Sequence, residues 1–238
     1  MIISHRKKFV LFAPWKTASS TMHLRLTAVN ESPYDRFYDF NPYLNRVVHQ
    51  HITCVEFCSL PESRLGYFTA SFIRNPYDRV YSGFRQLQTQ VQRQPRAQFR
   101  QAWIKDLVTR QLTDVFSQLC QAGFEFNKWF ELVREYQIYE VGHNTSFALH
   151  PAHYWTHIKG DQFVDFIGRV ETFENDFSVF CKNVDLDNIE IVNENIHDDP
   201  SNINTGMYKY INKMNRKSID KINALFKDDF EFFGYERY

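Results

Sequence analysis

The stretch 9-FVLFAPWKTASSTMHL-24 decides the fold. Phe9–Ala13 is a short apolar run that ends at a proline, which is the pattern of a buried strand. Thr21–Val29 carries apolar residues at helical spacing. The sequence therefore predicts a strand, a polar loop over Pro14–Thr21 and a helix.

Such a loop is suited to binding an anion. Its backbone N–H groups lie at a helix N-terminus, where the helix dipole favours negative charge. Lys16 adds a positive charge, and Ala18 is small enough for close backbone approach. Hydroxyl donors are supplied by Thr17, Ser19, Ser20 and Thr21. Both glycines of a Walker A loop are missing. The pattern indicates a phosphate-binding loop, with an ordinary capped helix as the alternative.

Strand and helix patterns alternate along the rest of the chain. Further strands are predicted at Gly66–Ile73 and Phe163–Gly168, and helices at Tyr77–Val91, Ala97–Leu119, Glu125–Tyr136, Thr172–Asn183 and Met214–Phe226. This order predicts an α/β fold with a central, mostly parallel sheet flanked by helices. We expect one P-loop-like domain over residues 1–238.

The composition excludes several classes of partner. Lys plus Arg (28) equals Asp plus Glu (28), so no overall field attracts nucleic acid. No apolar run is long enough for a signal peptide or a membrane span. The four cysteines form no CxxC pair, which favours a reducing compartment. We expect a cytoplasmic protein if the chain is complete; oligomeric state leaves no mark in the sequence.

A second motif, 71-SFIRNPYDRVYSGF-84, follows a later predicted strand. Arg74 lies at the strand end, and Ser82 lies about two turns into the next helix. A guanidinium and a hydroxyl from these positions can bind a second phosphate. In the alternative interpretation Asp78 and Arg79 cap the helix and Arg74 pairs with a carboxylate.

Histidines form two further groups. His49 and His51 lie two apart in 47-VVHQHITCVEF-57, so on an extended segment they project the same way. Neutral imidazole can act as a general base, although a structural pair is the alternative. The second group is His150, His153 and His157. Its spacing is compatible with a metal site, but Pro151 interrupts the run and no Cys or acid completes it, so we predict no metal.

Aromatic residues are concentrated at the C-terminus, at Phe230, Phe232, Phe233 and Tyr235. They predict core packing of a terminal segment, with a ligand platform as the alternative. Arg93–Arg110 is a basic stretch that either binds an acidic chain or forms a solvated helix face.

Together these motifs resemble the sulfotransferase superfamily, whose donor is 3′-phosphoadenosine-5′-phosphosulfate (PAPS). Two more segments extend the resemblance: 164-VDFIGRVETFENDF-177 and 228-DDFEFFGY-235 are similar to stretches of Golgi-type carbohydrate sulfotransferases. The segment with His49 and His51 is similar to one in the heparan and uronyl 2-O-sulfotransferases.

The resemblance implies roles for these residues. Lys16, Thr17, Ala18, Ser19, Ser20 and Thr21 would bind the 5′-phosphosulfate, and Arg74 and Ser82 the 3′-phosphate that remains in the product, 3′,5′-bisphosphate (PAP). His51 would be the catalytic base, and His49 would line the site of a hydroxyl acceptor, a carbohydrate in the closest subgroup. Lys16 would also neutralise charge on the leaving bisphosphate. His150 would lie near the cofactor.

The chain carries neither the stem nor the membrane anchor of the Golgi enzymes. This favours a cytoplasmic bacterial or viral relative, or else a trimmed domain from the Golgi lumen. Two alternative functions stay open at this point. One is a kinase-type phosphoryl transferase, and the other is a non-catalytic nucleotide-binding protein on the same fold.

Overall fold

The computed structural model describes residues 1–34, 38–93, 101–139, 149–186 and 207–238. Its strands in chain order are β1 (Ile2–Ser4), β2 (Phe9–Phe12), β3 (Asp39–Asn41), β4 (Arg46–Val48), β5 (Phe68–Ile73), β6 (His157–Ile158), β7 (Asp161–Gln162) and β8 (Phe166–Arg169). The central sheet has the order β1-β2-β5-β8. β2, β5 and β8 run parallel, and β1 is antiparallel to β2. The prediction of an α/β fold with a mostly parallel sheet is confirmed.

Strand β2 is apolar throughout because both faces of the sheet are covered. Phe9 and Leu11 pack in a cluster with helix residues on one face. Val10 and Phe12 pack in a second cluster on the other face. This alternation is the period of two that a strand imposes on its side chains.

The helices are α1 (Ser19–Arg25), α2 (Cys54–Phe57), α3 (Pro76–Arg93), α4 (Ala102–Gln121), α5 (Phe126–Leu132), α6 (Tyr136–Tyr139), α7 (Phe173–Asn183), α8 (Arg216–Leu225) and α9 (Lys227–Phe233).

Most predicted helices are found with shifted ends. Residues 97–100 of the predicted helix before α4 lie outside the described residues, as do Arg96 and Arg100 of the basic stretch. Lys105 and Arg110 are exposed on α4.

One helix prediction was wrong in extent. The helix predicted to reach Tyr136 ends at Leu132, because Val133 takes up extended backbone. There Lys221 donates to the carbonyl oxygens of Phe130 at 2.6 Å and Val133 at 2.7 Å. A side chain from α8 thus satisfies the last carbonyls of α5.

The helix predicted at Met214–Phe226 is found as α8, but a further helix after it was not predicted. The chain leaves the helical region at Phe226 and begins a separate helix, α9. Phe230, Phe233 and Tyr235 are buried, which confirms core packing for these three. Phe232 is 41% exposed instead, since it lies on the outer face of α9. In the described parts of the chain, no helix combines the length and apolar character needed to cross a membrane.

Candidate active site

The loop after β2 has an unusual backbone. Lys16 and Ala18 both have positive φ, 66° and 62°, which non-glycine residues adopt only where the surrounding structure enforces it. Thr17 is fully buried, and its Oγ1 donates to the carbonyl oxygen of Pro14 at 2.8 Å. The Thr17 hydroxyl therefore holds the turn in shape. Ala18 is the N-cap residue of α1, so the loop leads directly into the helix N-terminus.

Lys16 is held against helix α3. Its Nζ donates to Oε1 of Gln86 at 2.7 Å. Burial, and then the positive charge of Arg74, lower the pKa of Lys16 to about 8. Within the described residues, neither Lys16 nor Arg74 pairs with a carboxylate. Two cations thus lie near one another with no anion to balance them, which is the environment an anionic ligand requires.

Strand order explains why these two cations meet. β2 and β5 are parallel neighbours, so the loop after β2 and the Arg74 that follows β5 emerge at the same edge of the sheet. The Cζ of Arg74 lies 6.0 Å from the ring centroid of Tyr210. Ser82 is half-buried on α3, four residues before Gln86, and residues at this spacing share a helix face. The bond between Lys16 and Gln86 therefore places the loop beside the face that carries Ser82.

His51 is attached to the same loop from the other side. The ring is buried, and its Nδ1 lies 2.5 Å from the carbonyl oxygen of Ala13, the residue before the loop. Because a carbonyl oxygen can only accept, Nδ1 carries the proton and the lone pair is on Nε2. Nε2 lies 3.4 Å from Nε2 of Gln50.

The charge state of His51 suits a base. Burial, followed by the neighbouring His49, lowers its pKa well below 6.5, and the bond to Ala13 opposes this only in part. The neutral ring with a basic Nε2 is therefore its form at neutral pH.

The segment around His51 is anchored at both ends. The N-terminal ammonium of Met1 donates to the carbonyl oxygen of Gln50. On the other side, Thr53 caps α2 in a capping box with Glu56: the Thr53 N–H donates to Oε2 of Glu56 at 2.9 Å, and the Glu56 N–H donates to Oγ1 of Thr53 at 3.3 Å. Such reciprocal caps fix the entry of the chain into a helix. The His51 ring is thus held on a segment that is fixed on both sides.

His49 lies beside His51. The ring centroids of His49 and His51 are 5.2 Å apart, and the ring of Tyr38 lies 4.6 Å from His49 on its other side. Comparison with protein families gives one match. The model described as "Sulfotransferase family" matches residues 1–236.

The chain belongs to the sulfotransferase family. This confirms the resemblance to the sulfotransferase superfamily, and the match covers the loop, the Arg74 motif, the histidine segment and the C-terminal motif. No curated protein and no solved structure matched the chain.

In this sulfotransferase the middle motif (residues 164–177) and the C-terminal motif (residues 228–235) contact each other. Glu171 accepts from the Asn75 N–H at 2.7 Å and from the Tyr235 hydroxyl at 3.0 Å. Arg169 donates to the carbonyl oxygen of Phe233 at 2.6 Å and stacks over Tyr235 at 4.7 Å. Asn75 directly follows Arg74, so the middle and C-terminal motifs together support the start of α3.

A buried ion pair joins α9 to α3. Nη2 of Arg79 lies 3.3 Å from Oδ2 of Asp229, and Arg79 also donates to the carbonyl oxygen of His150 at 2.7 Å. Asp229 accepts from the N–H groups of Ala152 and His153 at 2.7 and 2.9 Å. Burial raises the pKa of Asp229, but the bond from His153 and the charge of Arg79 outweigh it and hold the pKa below its usual value. The Arg79 and Asp229 pair therefore fixes the C-terminal helix against the core.

The three later histidines have separate partners. His150 is bonded through Nδ1 to the carbonyl oxygen of Ile138 at 2.6 Å, and burial lowers its pKa to about 4. His153 Nδ1 is bonded to Asp229 at 2.9 Å, and His157 Nδ1 to the Thr156 hydroxyl at 2.8 Å. Across the described ranges, no three potential ligands are grouped as a metal site requires.

Three residues of this region were missed in the sequence. Gln86 is the hydrogen-bond partner of Lys16, and its position one turn after Ser82 was the available clue. Tyr210 lies against Arg74, and Asp229 binds Arg79. The partners in each pair are at least 70 residues apart along the chain, and Lys16 and Gln86 are the nearest. No local sequence pattern therefore indicates these contacts.

Proposed function

We propose that this sulfotransferase moves the sulfuryl group of PAPS to a hydroxyl of a carbohydrate acceptor, with His51 as the base. One observation carries the proposal. Lys16 and Arg74 are two cations at the sheet edge with no carboxylate partner among the described residues, and the neutral His51 is bonded to the backbone of Ala13, directly before the loop. This arrangement supports an anionic donor and a proton acceptor at one place.

The residues present fit such a donor. Lys16, the small residue Ala18 and the start of α1 suit the 5′-phosphosulfate, and Arg74 with Ser82 suits the 3′-phosphate. When bound, PAPS supplies a sulfuryl group on a bisphosphate leaving group. The remaining positions of the loop, Thr17, Ser19, Ser20 and Thr21, contribute the backbone N–H groups and the turn.

The protein residues divide the chemistry between them. Nε2 of His51 accepts the proton of the acceptor hydroxyl as the new S–O bond forms and the S–O bond to the phosphate breaks. Lys16 stabilises the negative charge that the leaving bisphosphate gains. Such charges are effective because they are in position before the reaction begins. His49, beside the base, lines the acceptor site.

A thermal-shift comparison of PAP with ADP, each with and without Mg²⁺, tests the donor. Saturation at about 100 Kd stabilises a protein by about 2.7 kcal/mol, and for this size each kcal/mol raises Tm by about 2–4 °C. We expect PAP to raise Tm without Mg²⁺ by about 5–10 °C and ADP to have little effect. Arg74→Met is the matched variant: it should reduce the PAP shift to that of ADP.

The other outcomes discriminate the alternatives. Stabilisation by ADP with Mg²⁺ but not by PAP would indicate a phosphoryl transferase and contradict the proposal. Stabilisation by PAP with no transfer of labelled sulfuryl to any member of a carbohydrate and phenol panel would indicate a non-catalytic nucleotide-binding protein.

A further inference from the structure

A second concave site lies between α2, α9 and the segment that forms β6. It is a pocket of about 440 Å³, and its lining includes Glu56, Tyr154, His157, Lys159, Asp228 and Phe232. This volume is in the range of small-molecule sites. None of the motifs assigned to the donor lines it. The pocket nevertheless begins at Thr53, two residues after His51.

One wall of the pocket is an aromatic platform. Phe232 is stacked on His157 with ring centroids 4.3 Å apart and an interplanar angle of 14°. His153 meets Phe232 edge-on at 5.6 Å and meets Tyr154 edge-on at 4.9 Å. His157 is buried beneath, while Phe232 remains 41% exposed. A large aromatic ring left exposed at a pocket provides a flat surface for a ligand.

Polar groups surround this platform. The Tyr154 hydroxyl, the Lys159 ammonium and the Asp228 carboxylate make no hydrogen bond to any other residue that the structure describes. Burial, and then Asp229 and Asp228, raise the pKa of Tyr154, so its hydroxyl stays protonated and can donate. A donor, an acceptor and a cation are therefore available next to an apolar face.

The charges select the class of ligand. The pocket has one ammonium, Lys159, and one carboxylate without an ion-pair partner among the described residues, Asp228, because the Glu56 carboxylate is paired with Arg46. The charges of Lys159 and Asp228 balance, so the pocket offers no net positive charge to a sulfated or uronic sugar. An uncharged pyranose fits both features, since its C–H face packs on an aromatic ring and its hydroxyls both donate and accept hydrogen bonds.

We propose that this pocket binds an uncharged sugar residue, with the sugar face on Phe232 and its hydroxyls on Tyr154 and Asp228. This inference rests on the proposed function in one respect, namely that the bound sugar is part of the acceptor. Binding of the sugar itself needs no donor and no transfer, so the two proposals fail independently.

The test is saturation-transfer NMR on the full chain without donor. The probes are cellobiose, maltose and lactose, compared with a heparin disaccharide and with 4-nitrophenol. We expect at least one neutral disaccharide to give a saturation-transfer effect that Phe232→Ala abolishes and Asp228→Asn reduces at least fivefold. Phe40→Ala is the matched control, because Phe40 is an equally exposed ring (42%) on the β3–β4 hairpin, and it should leave the effect unchanged.

Circular dichroism and the unfolding midpoint without ligand show whether each variant is folded. Absence of binding by all three neutral disaccharides overturns the inference, as does equal binding by wild type and Phe232→Ala. Preferential binding of the heparin disaccharide or of 4-nitrophenol also overturns it. If PAP fails to bind while a neutral disaccharide binds through Phe232, the pocket assignment stands and the donor assignment does not.

Discussion

Nδ1 of His51 is hydrogen-bonded to the carbonyl oxygen of Ala13 at 2.5 Å. This one bond joins the histidine segment to the residue directly before the proposed phosphate-binding loop. It fixes the tautomer of His51, because the carbonyl must accept, and so it leaves the basic lone pair on Nε2. Position and protonation of the base are therefore both set by the loop that would hold the donor.

His51→Asn separates the structural role of His51, its hydrogen bond to Ala13, from its proposed role as the base. The Asn side-chain amide can still donate to Ala13, as Nδ1 does, but it has no basic nitrogen. We expect kcat for sulfuryl transfer to fall by about 10²–10⁴, while the Kd of PAP stays within about twofold. His51→Ala should also lower Tm, since it removes the bond to Ala13. A His51→Asn enzyme with wild-type kcat would show that another group is the base.

The pKa of Lys16 predicts a pH dependence of donor binding. Burial and Arg74 lower this pKa to about 8 in the free protein, so the ammonium is lost as pH rises through that value. A bound anion favours the charged form, so binding takes up a proton and weakens above pH 8. We expect the Kd of PAP, measured by calorimetry from pH 6.5 to 9.5, to be constant at first and then to rise toward tenfold per pH unit.

Lys16→Arg is the control for this dependence. Arg keeps its charge over the whole range, so its Kd, although altered by the different geometry, should not change with pH. The same rise in Kd in Lys16→Arg would assign the pH effect to a different group.

Gln86→Glu tests the contact that holds Lys16. Nζ of Lys16 lies 2.7 Å from Oε1 of Gln86, and a carboxylate there would form an ion pair with the ammonium. We expect the pKa of Lys16 to rise and the Kd of PAP to increase about tenfold, because the new negative charge opposes the donor. Gln88→Glu adds the same charge two residues away, on a different side of α3. If both variants raised the Kd of PAP equally, the effect would come from net charge alone and not from the contact with Lys16.

The sequence predicted those parts of the fold that depend on local pattern. β2 and α1 are recognisable because an apolar run and a helical repeat are separated by a polar loop. β1, β3, β4, β6 and β7 were missed because each has only two or three residues, too few for any periodicity to show.

The sequence predicted which residues belong to the candidate site, but not the contacts that hold them there. Lys16, Arg74 and His51 each belong to a recognisable segment, and parallel strand order brings the first two together. The bond from His51 to Ala13 and that from Lys16 to Gln86 join residues 38 and 70 positions apart. Such contacts depend on tertiary packing, as does the end of α5, where Lys221 from α8 binds the final carbonyls.

Gly168 lies in β8, inside the segment that resembles carbohydrate sulfotransferases. A Cβ at this position would lie 2.5 Å from Cε1 and 2.8 Å from Cδ1 of Phe72. The Phe72 ring is fully buried and packs against Phe173 and Phe180, with centroids 5.3 and 6.5 Å away. The ring therefore has little room to move, and only glycine fits beside it.

We expect Gly168→Ala to lower the free energy of unfolding by about 1–3 kcal/mol, the usual cost of overpacking a core. Urea denaturation measures this change. In a Phe72→Leu background the smaller side chain leaves space for the methyl group, so the same substitution should cost less, and the difference is the coupling energy of the pair. An equal cost in both backgrounds would mean that the strain lies in the backbone of β8 and not in its contact with Phe72.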